Sequence, residues 1–577
     1  VEKDMLIIRA GGSAFRLGLG GGSASSVNQD ENKNLDNAVQ RGNAEMENRL
    51  YKFVRTMIER LDKNPMLVVH DQGAGGPANV TREIVDKMGG IVDLNNLNLG
   101  DETLSSLEKW VSEFQESITF LINENDLEIV ERVGNDESVE IEIFGKVNDS
   151  GHMKVIDSSK NVTKNDVINE TEKTILDFDI EKINMLSQKS YRYSSNNVLS
   201  NGKVDNDNGL YMYYGIKRYL FSMVCGKNYT EILKRVFSVL SVGSKRFLVN
   251  KVDRSVSGLV VQQQTCGYAQ IPVSDYGLTL MSLNDTCGIA TSIGEQPIKS
   301  LVDVESSIKL SIGEMLTNLM FVKIKNFESI KCSGNWMASP KLGNEGYLFH
   351  KAVKCVSEEL TKLGIAIDGG KDSLSMTTNI NRQGIEENVK SPLTFVITSY
   401  AFVPNVYERV TPDFKKAGNL IMYVNLGNNY NNMGGSALYQ AFGELGQGDY
   451  DVDLLKVRDV FKVVQKYLSK NVIYAGHDRS DGGLITTLSE MAFSGNKGFD
   501  VRITQMDSET ISDEDEVNVL FNEELGIVLE VCDENYGQLF KELKEITPTY
   551  MIGNVTEKHK LKMINWRRPV GVTCLDD

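Results

Sequence analysis

Apolar residues recur at helical spacing near the start of the chain. They occupy positions 46, 50, 53, 54, 57, 58 and 61, whereas Arg55, Glu59 and Arg60 fall off that face. This spacing predicts an amphipathic helix. The run MLVVHD that follows is short and apolar, which predicts a buried strand with Asp71 at its carboxyl end.

The segment from about 228 to 408 has a different pattern. Its runs RFLVNKV and LTFVITSYAFV alternate in the manner of strands, whereas SSIKLSIGEMLTNLMFV predicts a helix. The preceding residues, 158–227, are rich in Asn, Lys, Asp and Ser, which predicts a linker or insertion. Strands and helices mixed in this way place the chain in the α/β (α+β) class.

Four phrases of the first 157 residues occur again, in the same order, 407 to 413 residues later. The pairs are HDQGAGG and HDRSDGG, FQESITFLI and FNEELGIVLEV, IFGKV and MIGNV, and GGSASS and GGSALY. Nearly constant spacing over four phrases indicates a duplication. Residues 1–157 and 409–577 are therefore predicted to be two copies of one domain, with residues 228–408 forming a domain of another type.

The domain at 228–408 has no second copy in this sequence. The chain also opens on a strand-like run, VEKDMLIIRAGG, without an initiator Met or a signal-peptide pattern. We therefore expect this chain to be part of a longer protein, in which a second domain of the 228–408 type precedes residue 1.

Composition narrows the classes of partner. The chain has 577 residues, a net charge of −17 and a pI of about 5, which argues against nucleic acid as a partner. No apolar run approaches the roughly 18 residues of a membrane span. The seven cysteines are scattered without a C-x-x-C pair, which is typical of reduced thiols and predicts a cytoplasmic protein.

Three motifs are weak on their own. GLGGGSASS at 18–26 could hold phosphate at a helix start or serve tight packing, but it fails as a dinucleotide fingerprint. GGKDSLSM at 369–376 lacks the spacing of a Walker loop. Cys332 has no histidine near it in sequence, so we interpret it as a buried thiol and not as a nucleophile.

The acidic residues carry more information. Asp71 and Asp478 stand beside glycine-rich turns, and Glu314 and Asn318 are four residues apart on a predicted helix, where their oxygens share one face. Together with Asp275 they offer five oxygen donors, a set that favours Mg²⁺ carrying nucleotide phosphate over zinc. Each could instead be a helix cap, a turn acid or a surface charge. His70 and His477 are expected to support the neighbouring aspartates and not to act as bases.

A series of motifs in order resembles the large, single-chain form of phosphoribosylformylglycinamidine synthase. The resemblance runs through nearly the whole chain except the Asn-rich segment. It rests on these phrases, in chain order: GLGGGSASS, AVQRGNAEMENR, HDQGAGG, FQES, DRSVSGLVVQQQ, IPVSD, SIGEQP, GEMLTN, KCSGNWM, DGGKDSLSM, GHDRSDGGL, EMAFSGN and LFNEELG.

The resemblance implies an architecture of tandem aminoimidazole-ribonucleotide-synthetase-like modules, ordered A1, B1, A2 and B2 in that family. This chain would correspond to B1, linker, A2 and B2. The N-terminal domains of the family, including A1, and its C-terminal glutaminase would lie outside it. The catalytic histidine of the family belongs to A1, so the resemblance assigns no catalytic residue here.

The resemblance also implies an activity and site residues. The family uses ATP and ammonia released from glutamine to convert formylglycinamide ribonucleotide into the amidine, in purine biosynthesis. Position by position, Ser274 and Ser480 match nucleotide contacts, and ADP would be held at this second-half site as an auxiliary ligand. The other matches are magnesium ligands (Asp275, Glu314, Asn318, Asp478), a first-half metal position (Asp71) and substrate contacts (Gln40, Glu113, Gln115). The chain reads Glu-Phe-Gln where relatives often read Glu-Ser-Gln, which puts a contact through the middle residue in doubt.

Two other functions are compatible with the residues. One is a different ATP-dependent member of the same superfamily, such as a selenophosphate synthetase or a thiamine-phosphate kinase. Those enzymes have a single module, so the duplication weighs against them. The other is a scaffold that binds nucleotide without catalysis.

Overall fold

The computed structural model describes twelve stretches of the chain. Within them the residues group into two units, 1–192 with 377–389, and 193–376 with 390–577. The described stretches are 1–16, 42–60, 62–73, 75–158, 174–187, 229–251, 254–382, 385–427, 432–448, 450–503, 513–565 and 568–572.

Helices and strands alternate through both units. The helices described are α1 Ala44–Ile58, α2 Gly76–Val85, α3 Ser106–Val111, α4 Leu127–Asp136, α5 Ile180–Ser187, α6 Tyr229–Phe237, α7 Arg246–Val249, α8 Val304–Leu319, α9 Glu345–Leu363, α10 Ala437–Ala441, α11 Leu454–Tyr467, α12 Gly483–Gly495, α13 Asp513–Phe521 and α14 Gly537–Ile546.

The strands fall into three large sheets and one hairpin. They are β1 Leu6–Gly11, β2 Val68–Asp71, β3 Gly90–Asp93, β4 Ser117–Ile122, β5 Ile141–Val147, β6 His152–Ile156, β7 Thr174–Asp179, β8 Val260–Gln262, β9 Tyr276–Leu280, β10 Gly288–Glu295, β11 Lys331–Met337, β12 Ala366–Ser373, β13 Thr377–Arg382, β14 Ile385–Lys390, β15 Thr394–Val403, β16 Leu420–Asn425, β17 Ile473–Asp478, β18 Gly498–Arg502, β19 Gly526–Val531, β20 Thr549–Thr556, β21 Leu561–Asn565 and β22 Arg568–Val572.

The first unit is built on a seven-stranded sheet in the order β2-β4-β1-β5-β3-β6-β7. Its central strand β1 is buried along its whole length, because both faces of the sheet are covered by apolar side chains. One core gathers around Ile7 and the other around Ile8. The helix predicted from the spacing at 46–61 is confirmed as α1, and it buries Leu50, Phe53 and Met57.

A second seven-stranded sheet has the order β17-β19-β16-β20-β18-β21-β22. When each strand is matched to its counterpart in the first sheet, the two orders are identical, with β16 in the place of β1 and β17 in the place of β2. Both central pairs also carry a register shift, at Ile7/Ile8 and at Ile421/Met422. The duplication predicted from the four phrases is therefore confirmed at the level of topology.

Two departures concern segment limits. The seventh strand of the first sheet, β7, lies inside the segment predicted as linker, where it pairs with β6. The hairpin β13–β14, which the sequence places within the 228–408 domain, supplies the residues 377–389 that group with the first unit.

The residues between the copies form a six-stranded sheet, β12-β11-β15-β10-β9-β8. The predicted helix at 306–322 is confirmed as α8, which is buried over most of its length and packs on β10. A wholly buried Lys299 joins this domain to the following one through Glu523, at 2.8 Å. The two residues are 224 positions apart, so the pair ties distant segments of the second unit together.

Two local predictions are wrong. The described residues of RFLVNKV form no strand. The first four form the short helix α7, because the amides of Leu248 and Val249 bond back to the carbonyl of Lys245. MLVVHD does form a strand, β2, but a largely exposed one, with Val69 52% exposed. β2 lies at the sheet edge and pairs only with β4, whereas its counterpart β17 is buried beneath side chains of the 228–408 domain, including Phe321 against Gly476.

Candidate functional site

A cavity of about 1120 Å³ lies in the second unit, where the strand ends of the 228–408 domain meet β17 and α12. The sequence-predicted residues Ser274, Asp275, Asn318, Asp478 and Ser480 all line it. Asp275 comes from the loop before β9 and Asp478 ends β17, so the site is shared by two domains of this unit.

Asp275 is held by a histidine from the other domain. His477 Nδ1 lies 2.6 Å from Asp275 Oδ1, and His477 Nε2 lies 2.9 Å from Glu490 Oε2. Burial lowers the pKa of His477, but the carboxylates of Asp275 and Glu490 outweigh burial, so the pKa is raised well above its usual value. The ring thus lies between two acids that favour its protonated form. The sequence predicted support for the neighbouring Asp478; the structure gives that support to Asp275.

Asp478 and Asp275 each keep one oxygen without a hydrogen-bond partner in the described part of the chain. These oxygens are Asp275 Oδ2 and Asp478 Oδ2, and both are buried. Burial and the carboxylate of Asp275 raise the pKa of Asp478 to about 8, although His477 opposes the rise. His477 contacts Asp275 Oδ1, but the two buried Oδ2 oxygens have no donor, which leaves an unmet need for a positive charge.

This arrangement fits a divalent cation. Asp275, His477 and Asp478 each offer a ligand atom within 4.8 Å of the others. Because both nitrogens of His477 already face acids, the free ligand atoms are the carboxylate oxygens. Oxygen donors of this kind suit Mg²⁺ better than softer metals.

Glu314 and Asn318 lie on one face of α8, as predicted, but their roles differ. Asn318 lines the cavity, and its Nδ2 donates to the carbonyl of Ile293 at 2.9 Å. Glu314 Oε2 already accepts from the amide of Glu295, at 2.8 Å, and from the Gln296 side chain, at 3.0 Å. Burial and Asp478 raise the pKa of Glu314 well above its usual value. Among the described residues, Glu314 is outside the group whose ligand atoms cluster around Asp478.

The cavity also contains cations that the sequence-based prediction missed. Lys245 and Arg254 line it together with the acids. Burial lowers the pKa of Lys245, and this effect is partly offset by Asp481, Glu490 and Glu295. The run SVGSK at 241–245 is the signal that could have found Lys245, since small residues before a lysine let backbone and ammonium approach a phosphate together.

The two serines predicted as nucleotide contacts each take part in a hydrogen bond with the backbone of a nearby residue. The hydroxyl of Ser274 donates to the carbonyl of Tyr276 at 2.9 Å, and the carbonyl of Ser480 accepts from the amide of Gly483 at 3.0 Å. Cys332 is wholly buried, and burial raises its pKa to about 12, which agrees with the prediction of an unreactive thiol.

The phrases HDQGAGG and HDRSDGG, called the HD phrases below, both end on Gly-Gly for a local structural reason. Gly75 and Gly482 precede α2 and α12 with φ of 83° and 85°, and Gly76 and Gly483 also have positive φ. A Cβ on Gly483 would lie 2.7 Å from the carbonyl oxygen of Leu520. The turn after the aspartate therefore requires glycine at both positions, and Gly483 lets the start of α12 approach α13 closely.

The first unit shows the same phrase with an open surface. His70 Nε2 lies 2.9 Å from Glu83 Oε2, which repeats the His477–Glu490 contact. The Asp71 side chain is 84% exposed, however, against 4% for Asp478. In the described residues, Asp71 is therefore not gathered with other acids into a buried cluster.

The predicted substrate contacts of the first half are only partly described. Glu113 is buried and Gln115 is half-buried, directly before strand β4. Gln40 and the glycine-rich run at 18–26 lie outside the described residues.

Family models match three stretches of this sequence. "AIR synthase related protein, C-terminal domain" matches residues 2–158 and again 416–564, which together make more than half of the chain. "FGAR-AT PurM_N-like domain" matches residues 244–402. The chain belongs to the AIR synthase related family, and the predicted order of a C-terminal-type domain, an N-terminal-type domain and a second C-terminal-type domain is confirmed.

Its relatives within that family are phosphoribosylformylglycinamidine synthases, which confirms the resemblance seen in the motifs. The sequence is 39% identical over 563 residues to the probable enzyme of Arabidopsis thaliana, and 35% identical over 556 residues to the enzyme of Homo sapiens. These alignments cover 96% and 94% of this chain, but 38% and 39% of the relatives. The chain thus spans about two fifths of the length of the relatives it matches.

Solved structures support the fold. The structure titled "T. maritima PurL complexed with FGAR" aligns with a TM-score of 0.58 at 14% identity, over 96% of this chain and 72% of that one. The same protein "complexed with ATP" gives a TM-score of 0.56, over 96% and 71%. The α/β fold with tandem AIR-synthase-like modules is confirmed by these matches.

Among the described residues, no helix is long and apolar enough to cross a membrane.

Proposed function

We propose that this chain carries the synthase core of an ATP-dependent ligase that converts formylglycinamide ribonucleotide into formylglycinamidine ribonucleotide, with ammonia derived from glutamine, in purine biosynthesis. The observation that carries the proposal is a cavity lined by acids from two domains, Asp275 and Asp478, whose buried Oδ2 atoms lack a hydrogen-bond partner, and by two cations, Lys245 and Arg254. Acids for a metal and bases for phosphate in one cavity are what a metal–nucleotide complex requires.

The second-unit site would hold Mg²⁺ and nucleotide. Asp275, Asp478 and Asn318 would provide the metal oxygens from the cavity wall, and Glu314 would join them only after a side-chain rearrangement that releases its bond to the amide of Glu295. Ser274 and Ser480 would contact the nucleotide. The bound metal would offset charge on the phosphate oxygens, while His477 keeps Asp275 in place.

The nucleotide at this site would be an auxiliary ADP that stabilises the fold. The cavity is built from two domains of the second unit, and a ligand that binds both stabilises their association. The catalytic step would belong to the first unit, where Asp71 would bind metal and Gln40, Glu113 and Gln115 would contact the formylglycinamide ribonucleotide.

Partners follow from the open surface of the first unit. Asp71 is 84% exposed where Asp478 is buried under the 228–408 domain, so a second domain of that type, from the N-terminal part of a longer protein, is proposed to cover it. A glutaminase domain would supply the ammonia. The described cysteines are free, and on that basis we propose a cytoplasmic location.

A scaffold that binds nucleotide without turnover is the second candidate function for the chain by itself. The exposure of Asp71 favours it, because phosphoryl transfer needs a metal site that excludes water. In this case the activity would appear only when the covering domain is present.

The test is ADP release by this 577-residue chain with Mg-ATP, formylglycinamide ribonucleotide and ammonium chloride. We expect no turnover from the chain alone, and turnover once the N-terminal domains of a longer form are added. Glutamine should not replace ammonium without a glutaminase. Turnover by the chain alone would show that Asp71 needs no covering domain, and glutamate release from glutamine would overturn the domain assignment.

A further inference from the structure

Glu490 is a half-buried acid on α12 that none of the proposed ligand roles uses. It lines the cavity, but in the described residues it is outside the group of ligand atoms formed by Asp275, His477 and Asp478. Its carboxylate instead contacts His477 Nε2 at 2.9 Å. Because the other nitrogen of His477 holds Asp275 at 2.6 Å, Glu490 is connected to the site through one ring.

This connection determines which oxygen of Asp275 is left without a partner. Asp275 Oδ1 is engaged by the ring, and Asp275 Oδ2 is left without a partner. An imidazole bonded at both nitrogens cannot rotate about its side-chain bonds without breaking a contact. The ring thus fixes the carboxylate in one orientation as long as Glu490 holds its far side.

The two acids of the site are placed by different means. Asp478 belongs to β17, pairs in register with Ile527, and its carbonyl accepts from the hydroxyl of Thr487 at 3.0 Å. Asp275 stands on the loop before β9, 202 residues away from His477 in sequence. The strand therefore positions Asp478, whereas the Asp275 carboxylate is held across the domain boundary by His477 and by the backbone of Asp478.

The first unit contains the same contact without a second-domain acid. His70 and Glu83 are 2.9 Å apart, and the nearby carbonyl of Asp71 lies 2.7 Å from His70 Nδ1. The Glu–His pair thus forms wherever this strand and helix meet, whether or not an acid from another domain is engaged. The Glu–His contact is therefore a feature of the module itself and does not require Asp275.

We propose that Glu490 is a positioning residue for the Mg–nucleotide site: through His477 it orients Asp275 so that its free oxygen faces that of Asp478. The inference rests on the proposed function of this cavity. A purely structural Glu490 would stabilise the fold but would not distinguish nucleotide binding with magnesium from nucleotide binding without it.

The experiment is titration calorimetry of ADP with Mg²⁺, and of ADP with a chelator, on the nucleotide-free chain. Glu490→Ala is expected to weaken the Mg–ADP affinity by about tenfold, the usual cost of losing an outer-shell partner, and to leave chelator-treated binding within about twofold. Glu490→Gln keeps an oxygen acceptor for His477, so its Mg–ADP affinity should fall between those of the wild type and of Glu490→Ala. The matched control is Glu557→Ala, which breaks a surface contact to Lys497 of the same 2.9 Å length and should leave both affinities unchanged.

The outcomes separate the inference from the function on which it rests. Equal loss with and without magnesium, or no loss in either Glu490 variant, would overturn the positioning role. If Glu490→Ala does not fold, the Glu490→Gln titration decides in the same way. A wild-type chain that binds ADP equally with and without Mg²⁺ would remove the metal site itself, and the role of Glu490 with it.

Discussion

At the scale of single residues, each copy buries one arginine near the HD phrase, but at a different position in the sequence. Arg9 on β1 is wholly buried and bonds to Gln72 at 3.1 Å and to Glu142 at 2.5 Å. In the second copy the buried arginine is Arg479, which directly follows Asp478 and does not lie on the central strand. It stacks on Tyr423 of β16, the strand that corresponds to β1. Each arginine therefore ties the central strand of its copy to neighbouring segments of the same copy.

Arg9→Met should be strongly destabilising. Burial raises the pKa of Glu142 and Arg9 opposes this rise, so removing Arg9 leaves a buried acid without its cation. We expect a loss of about 3–5 kcal/mol in the free energy of unfolding, measured by urea denaturation. Replacing Glu142 as well, by Leu, should recover much of the loss. The control Arg49→Met removes an exposed helical pair with Glu45 and should cost below about 0.5 kcal/mol.

Asp478→Asn combined with Glu314→Gln should weaken the binding of Mg–nucleotide. The variant removes the carboxylate of Asp478, whose buried Oδ2 has no hydrogen-bond partner. It also removes the carboxylate of Glu314 on α8, whose pKa Asp478 raises. Calorimetry is expected to show a loss of about tenfold or more, and the variant should gain less melting temperature from added Mg–ADP. The surface pair Asp285→Asn with Glu328→Gln is the control. An unchanged affinity would remove the metal assignment.

At the scale of elements, the strand–turn–helix unit of the HD phrase is what the duplication preserved. β2 and β17 each end on the aspartate, and α2 and α12 each start on two glycines with positive φ. The glycines let the start of each helix approach the end of a neighbouring helix closely, α3 in the first copy and α13 in the second. In both copies the histidine of the strand meets the glutamate of the helix at 2.9 Å.

Gly483→Ala should therefore cost more than conformational strain alone. Its φ is +72° and the new Cβ would lie 2.7 Å from backbone atoms of Leu520 and Phe521. We expect a loss of about 2–5 kcal/mol in thermal or urea unfolding, from strain plus steric overlap. Gly443→Ala is the matched control, since φ is +74° with nothing within 4 Å, and should cost about 1 kcal/mol. Equal losses in both variants would show that α12 can shift away from α13.

At the scale of the whole molecule, protons and magnesium compete for carboxylates that two domains bring together. The pKa of Asp478 is raised to about 8 in the folded chain, against about 3.9 when unfolded. Because the folded state holds this proton more tightly, the stabilisation is complete below about pH 4 and is lost as the pH rises through about 8. His477, whose pKa is also raised, acts in the same direction.

The melting temperature of magnesium-free protein should therefore fall between pH 6 and pH 9. Added Mg²⁺ should stabilise more at pH 9 than at pH 6, because the metal requires the deprotonated ligand. Scanning calorimetry with chelator and with Mg²⁺ measures both trends. Asp478→Asn should flatten them, whereas Glu557→Gln at the surface should not. A stabilisation by Mg²⁺ that does not change with pH would contradict the prediction that protons and magnesium compete for the same carboxylates.

Several local features were beyond sequence reasoning for identifiable reasons. The exposure of β2 could not be predicted, because MLVVHD has the same apolar character as the buried β17 and only the neighbouring domain distinguishes them. RFLVNKV alternates like a strand, but its backbone bonds locally to Lys245. Lys245 itself was missed because its run has no periodicity, and its place in the cavity depends on the fold.

The sequence by itself determined the duplication, the order of domain types and the aspartates at the strand ends, because these are properties of residue spacing and strand–helix alternation. Only the tertiary structure decided which acids meet. Asp275 and Asp478 lie about two hundred residues apart in the sequence. The contacts from Asp275 through His477 to Glu490, and the burial of the two unbonded oxygens, therefore exist only once two domains have packed. Burial then sets their pKa values, and burial is a property of the packed fold that no spacing along the chain contains.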